Sequence, residues 1–243
     1  MNLIIDVGNT FVKLAVFSEG NICYKEVIEH NLLLKQVRMI KSRFKSLQKG
    51  IVSSVGRLNN EHVSEIETIT PLLKLNSKTN LPFKNKYKTP KTLGVDRIAL
   101  VSASVKQFPD KNVLIIDAGT CITYDFINSQ NEYLGGAISP GLRTRYKSLN
   151  NLTANLPLLE LEKPKGIIGA STKASIHSGV VFGVLNEIDG MIDSYKLKYP
   201  DLTVILTGGD ANFLSKQLKN SIFANSNFLL EGLNYILQFN SNE

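Results

Sequence analysis

The sequence predicts an α/β protein of two tandem domains, each with the element order βββαβαβ. A chain of 243 residues has enough material for two domains of about 110 to 130 residues. The motif Leu-Ile-Ile-Asp-X-Gly occurs at residues 3–8 and again at 114–119. After each copy, short runs rich in β-branched residues give way to helical periodicity. We therefore expect an N-terminal domain at 1–110 and a C-terminal domain at 111–243.

The first half begins with three strands joined by tight turns. After the strand that ends at Asp6, the runs VKLAVF (12–17) and ICYKEVI (22–28) predict the second and third. Apolar residues from Leu33 to Leu47 recur at helical spacing, and this helix is expected to end near Gly50. The remaining predicted elements are a strand at 51–55, a weaker helix through Val63 and Ile66, a strand at 72–75, and a helix that starts at Asp96 and Arg97.

The second half repeats this order with one addition. Strands are predicted at 113–117, 121–127 and 133–138, followed by an insertion rich in Leu, Pro and Lys at 142–167. The elements after it are a helix at 178–199, a strand at 202–206, a helix at 211–219, a strand at 222–224 and a helix from Phe228.

Composition excludes several classes of protein. The net charge is +7, but basic residues are scattered without interleaved aromatics, so we expect a solvated basic surface and no nucleic-acid partner. No apolar run has the length of a membrane span or the layout of a signal peptide, which predicts a cytoplasmic protein without membrane contact. Cys23 and Cys121 have no metal-type spacing and are expected to be reduced and mostly buried.

The stretch IIDVGNT at residues 4–10 predicts a phosphate-binding hairpin. Gly8 allows close approach of the backbone to a ligand, Asn9 and Thr10 can donate to phosphate oxygens, and Asp6 can hold Mg²⁺ directly or through water. A single such stretch is better explained as a plain turn. Its recurrence favours a cleft for a metal phosphate between two facing domains.

Two further stretches leave alternatives open. In LTGGD (206–210), Gly208 and Gly209 indicate either ligand contact or turn chemistry alone. In LGVDR (93–97), Asp96 is either a residue favoured by the helix dipole, with Arg97 exposed, or a base beside an arginine that clamps a substrate carboxylate.

Taken together in order, these motifs resemble those of the type III pantothenate kinases, within the superfamily of actin, sugar kinases and heat-shock ATPase domains. The resemblance spans nearly the whole chain and implies the ribonuclease H-like (actin-like ATPase) fold. The motifs that carry it are DVGNT (6–10), LGVDR (93–97), DAGT (117–120), GGAISPGL (135–142), TANLP (153–157), IGASTKASIHSG (168–179) and LTGGD (206–210).

The resemblance implies two groups of site residues. The residues implied in ATP binding are Asp6, Val7, Gly8, Asn9, Thr10, Phe11, Val12, Lys13 and Thr120, with Asp6 associated with Mg²⁺. The residues implied in pantothenate binding are Tyr87, Gly94, Val95, Asp96 and Arg97, with Asp96 as catalytic base, and Thr172 from the neighbouring subunit of a homodimer. Asp117 is implied as the ligand of a monovalent cation, K⁺ or NH₄⁺.

The expected activity is ATP-dependent phosphorylation of pantothenate to 4′-phosphopantothenate, the first step of coenzyme A biosynthesis. The alternatives are a kinase of another small hydroxy compound and a nucleotide-gated regulatory protein on the same fold. Ser171 stands where many members of the family carry Asn. His177 is interpreted as a structural or exposed helix residue rather than a base.

Overall fold

The computed structural model describes residues 1–54 and 58–241, and the chain divides into two compact units. The first comprises Met1–Pro109 with Asn227–Glu243, and the second comprises Asp110–Ser226. Val55, the predicted last residue of a strand, lies outside the described residues.

The first unit contains one mixed sheet and helices on both of its faces. Its elements are β1 (Asn2–Val7), β2 (Val12–Ser18), β3 (Asn21–Ile28), α1 (Leu33–Arg43), β4 (Lys49–Ser54), α2 (Asn60–Ile69), β5 (Leu72–Lys74), β6 (Lys84–Asn85) and α3 (Val95–Gln107), with short 3₁₀ turns at His30–Leu32 and Pro90–Thr92 and a C-terminal helix at Phe228–Phe239.

The sheet of the first unit has the strand order β3-β2-β1-β4-β5. β1 pairs with β2 antiparallel and with β4 parallel, so the central strand has a hydrogen-bonded neighbour on each side. In this register Asp6 lies opposite Lys13 on β2 and opposite Ser53 on β4. Since directly paired residues point to the same face of a sheet, these three side chains share one face.

Alternation along β1 sends its side chains to two different layers. Leu3, Ile5 and Val7 belong to the hydrophobic core that α1 and α2 cover. Asn2, Ile4 and Asp6 therefore point to the opposite face. That face is covered by α3 and the C-terminal helix, which pack on each other and on the sheet.

The second unit repeats the topology of the first. Its elements are β7 (Val113–Ala118), β8 (Cys121–Ile127), β9 (Glu132–Pro140), α4 (Leu142–Asn151), α5 (Thr172–Lys198), β10 (Thr203–Thr207), α6 (Ala211–Ser215) and β11 (Phe223–Ala224). The C-terminal helix of the first unit, Phe228–Phe239, is therefore α7.

In the sheet of the second unit, β7 takes the place that β1 has in the first. The strands run in the order β11-β10-β7-β8-β9, with β7 antiparallel to β8 and parallel to β10. The core of this unit lies between the sheet and the long helix α5, with α4 and α6 beside it.

The helices differ from their predicted bounds at several points. The insertion at 142–167 contains α4, whose apolar residues Leu142 and Tyr146 reach the core at a four-residue spacing. α5 begins at Thr172 rather than at 178, because the Ser171 side chain accepts the Ala174 amide and caps the helix. α1 ends at Arg43 and α6 at Ser215, both earlier than predicted.

The prediction that both cysteines are mostly buried is wrong. Cys23 and Cys121 are free and exposed. Cys23 lies on the solvent side of the edge strand β3, where exposed and partly covered residues alternate. Cys121 is the first residue of β8, before the strand enters the core. Composition alone does not reveal which side of an edge strand a cysteine occupies.

The helix α7 belongs to the first compact unit, although the sequence analysis included it in a continuous C-terminal domain. It packs on α3 at Gly232, where a Cβ would lie only 1.9 Å from the carbonyl oxygen of Ala99. The side chain of Asn234 also accepts a hydrogen bond from Asn2 Nδ2 at 2.8 Å. The boundary between residues 110 and 111 stays a prediction, and the contacts assign α7 to the first unit.

Within the part of the chain that the structure describes, no helix is both long enough and apolar enough to cross a membrane.

We expect Gly232→Ala to destabilise the protein by about 1 to 3 kcal/mol, because the new methyl group would force α3 and α7 apart. Gly190→Ala is the matched control, since Gly190 is exposed on α5 and a Cβ there meets nothing within 4 Å. The control should gain roughly 0.5 to 1 kcal/mol from helix propensity. Urea denaturation of both variants measures the difference, and a Gly232→Ala protein as stable as Gly190→Ala would contradict the close packing.

Candidate active site

The first predicted hairpin connects β1 to β2 through a tight turn. The Gly8 amide donates to the carbonyl oxygen of Phe11 at 3.1 Å, and the side chains of Asn9, Thr10 and Phe11 are exposed. On either side of the turn, Val7 and Val12 are buried in the core. The strands therefore hold the hairpin rigidly while its tip stays open to solvent, which suits a loop that receives a ligand.

Asp6 lies buried at the end of β1, with only 4% of its surface exposed. Ser53 Oγ donates to Asp6 Oδ1 at 3.0 Å. Lys13 Nζ lies 3.6 Å from Asp6 Oδ2. Both contacts follow from the strand register, because Lys13 and Ser53 are the direct partners of Asp6 on the two neighbouring strands.

The pKa of Asp6 is raised above that of an ordinary aspartate, chiefly because burial removes water from the charged form. Lys13 and the Ser53 hydroxyl act in the opposite direction and favour the carboxylate. The negative charge of Asp96 raises the pKa further. Asp6 and Asp96, which are 90 positions apart in the sequence, are therefore coupled electrostatically within the first unit.

Asp96 lies in the first turn of α3, which Gly94 precedes as the N-terminal cap without a side-chain hydrogen bond. Its Oδ1 accepts the backbone amide of Arg97 at 2.8 Å. A Cβ at residue 94 would lie 2.4 Å from that oxygen, so glycine is needed for the carboxylate to fold back over the helix start. The helix terminus and Gly94 together fix the orientation of Asp96.

Arg97 is buried, with 5% of its surface exposed, so the alternative in which this side chain is merely exposed is wrong. Its guanidinium carbon lies 5.6 Å from the centre of the Tyr87 ring, within the range of a cation–π contact. Tyr87 and Arg97 were predicted separately as substrate-binding residues, and the structure brings them together. Val95, between Gly94 and Asp96, is the first residue of the helix.

In the second unit, Asp117 is the last residue but one of β7, as Asp6 is of β1, but Asp117 is only partly buried. Gly208 has a φ of 95°, and a Cβ there would lie 2.4 Å from Asp117 Oδ1 and 2.3 Å from the carbonyl oxygen of Ala118. Gly208 is therefore explained by a left-handed turn packed against Asp117. A Cβ at Gly209 would meet nothing within 4 Å.

Thr120 lies exposed in the hairpin between β7 and β8. Its carbonyl oxygen accepts the amide of Gly141 at 3.0 Å and the hydroxyl of Thr144 at 2.6 Å. These bonds anchor the backbone of the hairpin and leave the Thr120 side chain toward solvent.

An ion pair that was not predicted from the sequence lies close to Gly208 in the chain. Asp210 is buried, and its carboxylate pairs with Arg143 Nη1 at 2.5 Å.

The start of α5 carries Thr172, which is exposed as the first residue of the helix. Ser171 accepts the Ala174 amide at 3.2 Å, and since Asn is an equally good cap, the difference from the family pattern preserves the local backbone. His177 is buried, and its Nδ1 is hydrogen-bonded to the Tyr146 hydroxyl at 2.8 Å. This bond supports a structural role for His177.

The family model for type III pantothenate kinase matches residues 2–194. The chain belongs to the type III pantothenate kinases. A protein of Christiangramia forsetii named type III pantothenate kinase is 52% identical over 100% of both chains. The resemblance inferred from the ordered motifs is confirmed, and this type III pantothenate kinase is an enzyme of the kinase class.

Two solved structures share the fold of this chain. A putative Baf family transcriptional activator from Campylobacter jejuni superposes with a TM-score of 0.68 and 21% identity, over 99% of this chain and 100% of that one. A ROK family glucokinase from Streptomyces griseus, in complex with glucose and AMPPNP, gives a TM-score of 0.53 and 10% identity over 98% of each chain. The predicted two-domain actin-like fold is confirmed.

A kinase of this family uses ATP together with an associated metal ion. Among the described residues no group of three or more His, Cys, Asp or Glu side chains could hold a metal ion by itself. One buried carboxylate beside a phosphate-type hairpin is nevertheless a donor set that fits Mg²⁺, which commonly takes one or two carboxylates and completes its shell with water and phosphate oxygens. The residues of this type III pantothenate kinase therefore fit a metal ion that arrives with the nucleotide.

We expect Asp6→Asn to raise the melting temperature of the free enzyme at pH 7. The folded-state pKa of Asp6 lies above the ordinary value of 3.8, so above that pKa the fold holds an ionised group that burial penalises. The gain of the Asn variant should shrink as the pH falls through the folded-state pKa and nearly vanish at about pH 3, where the aspartate is mostly protonated in both states. At pH 7 each kcal/mol gained in the free energy of unfolding should raise the melting temperature by about 2 to 4 °C.

Thermal melts of both proteins from about pH 3 to pH 8 measure this gain. Asp193→Asn, which removes an exposed carboxylate, is the control and should produce no gain that grows with pH. An Asp6→Asn protein that melts below the wild type at pH 7 would contradict burial as the dominant effect on Asp6.

Proposed function

We propose that this protein transfers the γ-phosphoryl group of ATP to the primary hydroxyl of pantothenate, giving 4′-phosphopantothenate in the first step of coenzyme A biosynthesis. Membership of the family supports the reaction. The observation that carries the assignment of residues is the buried Asp6 carboxylate at the start of the exposed first hairpin, held by Ser53 Oγ and facing Lys13 Nζ. In-line phosphoryl transfer depends on positioning and on neutralising phosphate charge, which a fixed carboxylate for a metal ion and a nearby ammonium can supply.

Asp96 is proposed as the general base. Its carboxylate is held by the Arg97 amide at 2.8 Å, so its orientation is fixed before substrate binds. When the pantothenate hydroxyl attacks the γ-phosphorus, Asp96 accepts the hydroxyl proton. Proton transfer to a positioned carboxylate typically contributes about 10² to 10⁴ in rate.

Arg97 is proposed to bind the pantothenate carboxylate. A guanidinium presents its donors in a rigid fork that matches a carboxylate, and the Tyr87 ring holds the group in place. Gly94 and Val95 contribute the backbone at the start of α3, where the positive end of the helix dipole favours an anion. The substrate is therefore anchored at its carboxylate end while its hydroxyl meets Asp96.

The nucleotide side of the reaction is assigned to the first hairpin. Residues 6–13, with Thr120 of the second unit, are proposed to bind ATP, and Lys13 balances phosphate charge. Asp6 would hold Mg²⁺ directly or through water, and a bound Mg²⁺ neutralises charge on the transferred phosphoryl group. Asp117 would hold a monovalent cation, K⁺ or NH₄⁺, with its carboxylate.

The active form is proposed to be a cytoplasmic homodimer that shares its pantothenate pocket. Thr172 is exposed, and just before it Ile167 and Ile168 are 67% and 88% exposed. Adjacent exposed isoleucines favour burial against a partner, which would bring Thr172 to the pocket of the other subunit. Neither a nucleic acid nor a membrane is expected as a partner. The domains proposed at 1–110 and 111–243 are the two halves that share the predicted βββαβαβ order.

The activity test is ADP release with and without pantothenate in potassium, ammonium and sodium buffers, using the wild type and two variants. Asp96→Asn should lower kcat about 10² to 10⁴-fold with pantothenate still bound. Arg97→Ala should mainly raise the pantothenate KM, because a carboxylate clamp acts in ground and transition states alike.

Thermal melts control for folding in both variants. An Asp96→Asn enzyme within about threefold of wild-type kcat would remove the base from this mechanism. ADP release that no buffer makes dependent on pantothenate would overturn the proposed substrate.

A mixing experiment tests the shared pocket. Asp96→Asn and Thr172→Val proteins, each impaired alone, form heterodimers in which one site carries both defects and the other carries neither. Activity should therefore rise on mixing, to about a quarter of the wild-type level when half of the dimers are mixed. Subunit exchange is verified by mass spectrometry, and exchange without recovered activity would argue against a pocket completed by the partner.

A further inference from the structure

Ser53 is a completely buried serine, with 0% of its surface exposed, whose hydroxyl donates to Asp6 Oδ1 at 3.0 Å. Its place follows from the parallel pairing of β1 with β4, which sets residues 6 and 53 side by side on one face of the sheet. The contact joins two neighbouring parallel strands near their carboxyl ends, where the first hairpin begins. No motif in the sequence points to Ser53.

The two oxygens of Asp6 have different surroundings. Oδ1 faces the buried Ser53 hydroxyl, whereas Oδ2 faces Lys13 Nζ at 3.6 Å. The Lys13 side chain is 40% exposed, so Oδ2 faces a group that itself reaches solvent. The hydrogen bond on Oδ1 restrains rotation of the carboxylate, so that Oδ2 keeps facing Lys13.

Other buried serines of the same unit satisfy their hydroxyl groups differently. Ser102 donates to the carbonyl oxygen of Ile98 and Ser104 to that of Val101, each within its own helix. Such bonds only satisfy a buried polar atom. The Ser53 hydroxyl instead donates to the Asp6 carboxylate, and a hydrogen bond to a charged group is stronger than one between neutral groups.

We propose that Ser53 is a positioning residue that holds the Asp6 carboxylate in the orientation required to receive Mg-ATP. This inference rests on the proposed role of Asp6 in the nucleotide site. Without the hydroxyl, the carboxylate loses its fixed rotamer and its buried oxygen loses its partner. Binding of Mg-nucleotide should weaken, while binding of pantothenate at Arg97 should change little.

The test compares Ser53→Ala, Ser53→Cys and Ser53→Thr with a matched control, Ser102→Ala, which removes an equally buried hydroxyl that does not contact Asp6. Calorimetry measures the affinity for the nonhydrolysable analogue AMPPNP with Mg²⁺, and steady-state kinetics measure KM for ATP and for pantothenate. Ser53→Ala and Ser53→Cys should weaken AMPPNP binding by roughly 10-fold or more, the scale of one hydrogen bond to a charged group. Ser53→Thr should recover most of the affinity, and Ser102→Ala should match the wild type.

A double-mutant cycle separates positioning from a general loss of packing. In an Asp6→Ala background, Ser53→Ala should have no further effect on AMPPNP affinity, because there is no carboxylate left to orient. Urea denaturation of the wild type, Ser53→Ala, Asp6→Ala and the double variant, without nucleotide or metal, should show the same coupling in the free energy of unfolding. This second readout does not depend on catalysis.

The outcomes separate this inference from the proposed function. If Asp6→Ala weakens Mg-AMPPNP binding but both Ser53→Ala and Ser53→Cys bind within twofold of the wild type, the positioning role is overturned and the nucleotide role of Asp6 stands. If Asp6→Ala also binds normally, both fail. If Ser53→Ala does not fold, Ser53→Cys is compared with Ser53→Thr. Cysteine keeps a similar volume but is a weaker donor, whereas threonine keeps the hydroxyl. Equal AMPPNP affinities of these two variants would overturn the inference.

Discussion

The burial of one carboxylate at the end of a central strand is the constraint on which the rest of the first unit depends. Burial alone would neutralise Asp6 or expel it, because an ionised group without water is costly. The protein surrounds it with a hydroxyl on one neighbouring strand and an ammonium on the other. The Asp96 carboxylate, in the first turn of α3, makes ionisation of Asp6 still less favourable. A buried carboxylate kept at such a cost in stability is typical of a site where the charge binds a ligand.

The second unit reproduces the topology but not the electrostatic environment. β7 has the same antiparallel and parallel neighbours as β1, yet Asp117 is only partly buried, and the turn at Gly208 packs closely against it. The same pattern of strands therefore holds two different carboxylate environments. The contrast agrees with separate proposed ligands, a nucleotide-borne divalent ion for Asp6 and a monovalent ion for Asp117.

Much of the fold was predictable because its signals are local. Alternating and helical periodicities identified the strands and the main helices, and the repeated Leu-Ile-Ile-Asp-X-Gly identified the duplication. The start of α5 was missed because capping by Ser171 acts before the apolar periodicity begins. The exposure of Cys23 and the packing of α7 depend on tertiary contacts, which a local sequence pattern does not reveal. In the same way, Asp6, Asp96 and Arg97 could be named from motifs, but Ser53 and the Arg143–Asp210 pair follow only from register and packing.

The inclusion of α7 in the first unit has a consequence for biosynthesis. Segment 110–226 is continuous in sequence and closes its own core around α5, whereas the first unit must wait for α7 to cover the face of β1 that carries Ile4 and Asp6. On the ribosome, the unit that emerges first is thus the last to be completed. Until translation reaches Gly232, an apolar face of the nascent sheet and of α3 stays uncovered. Nascent chains stalled before this helix would expose this apolar face to aggregation.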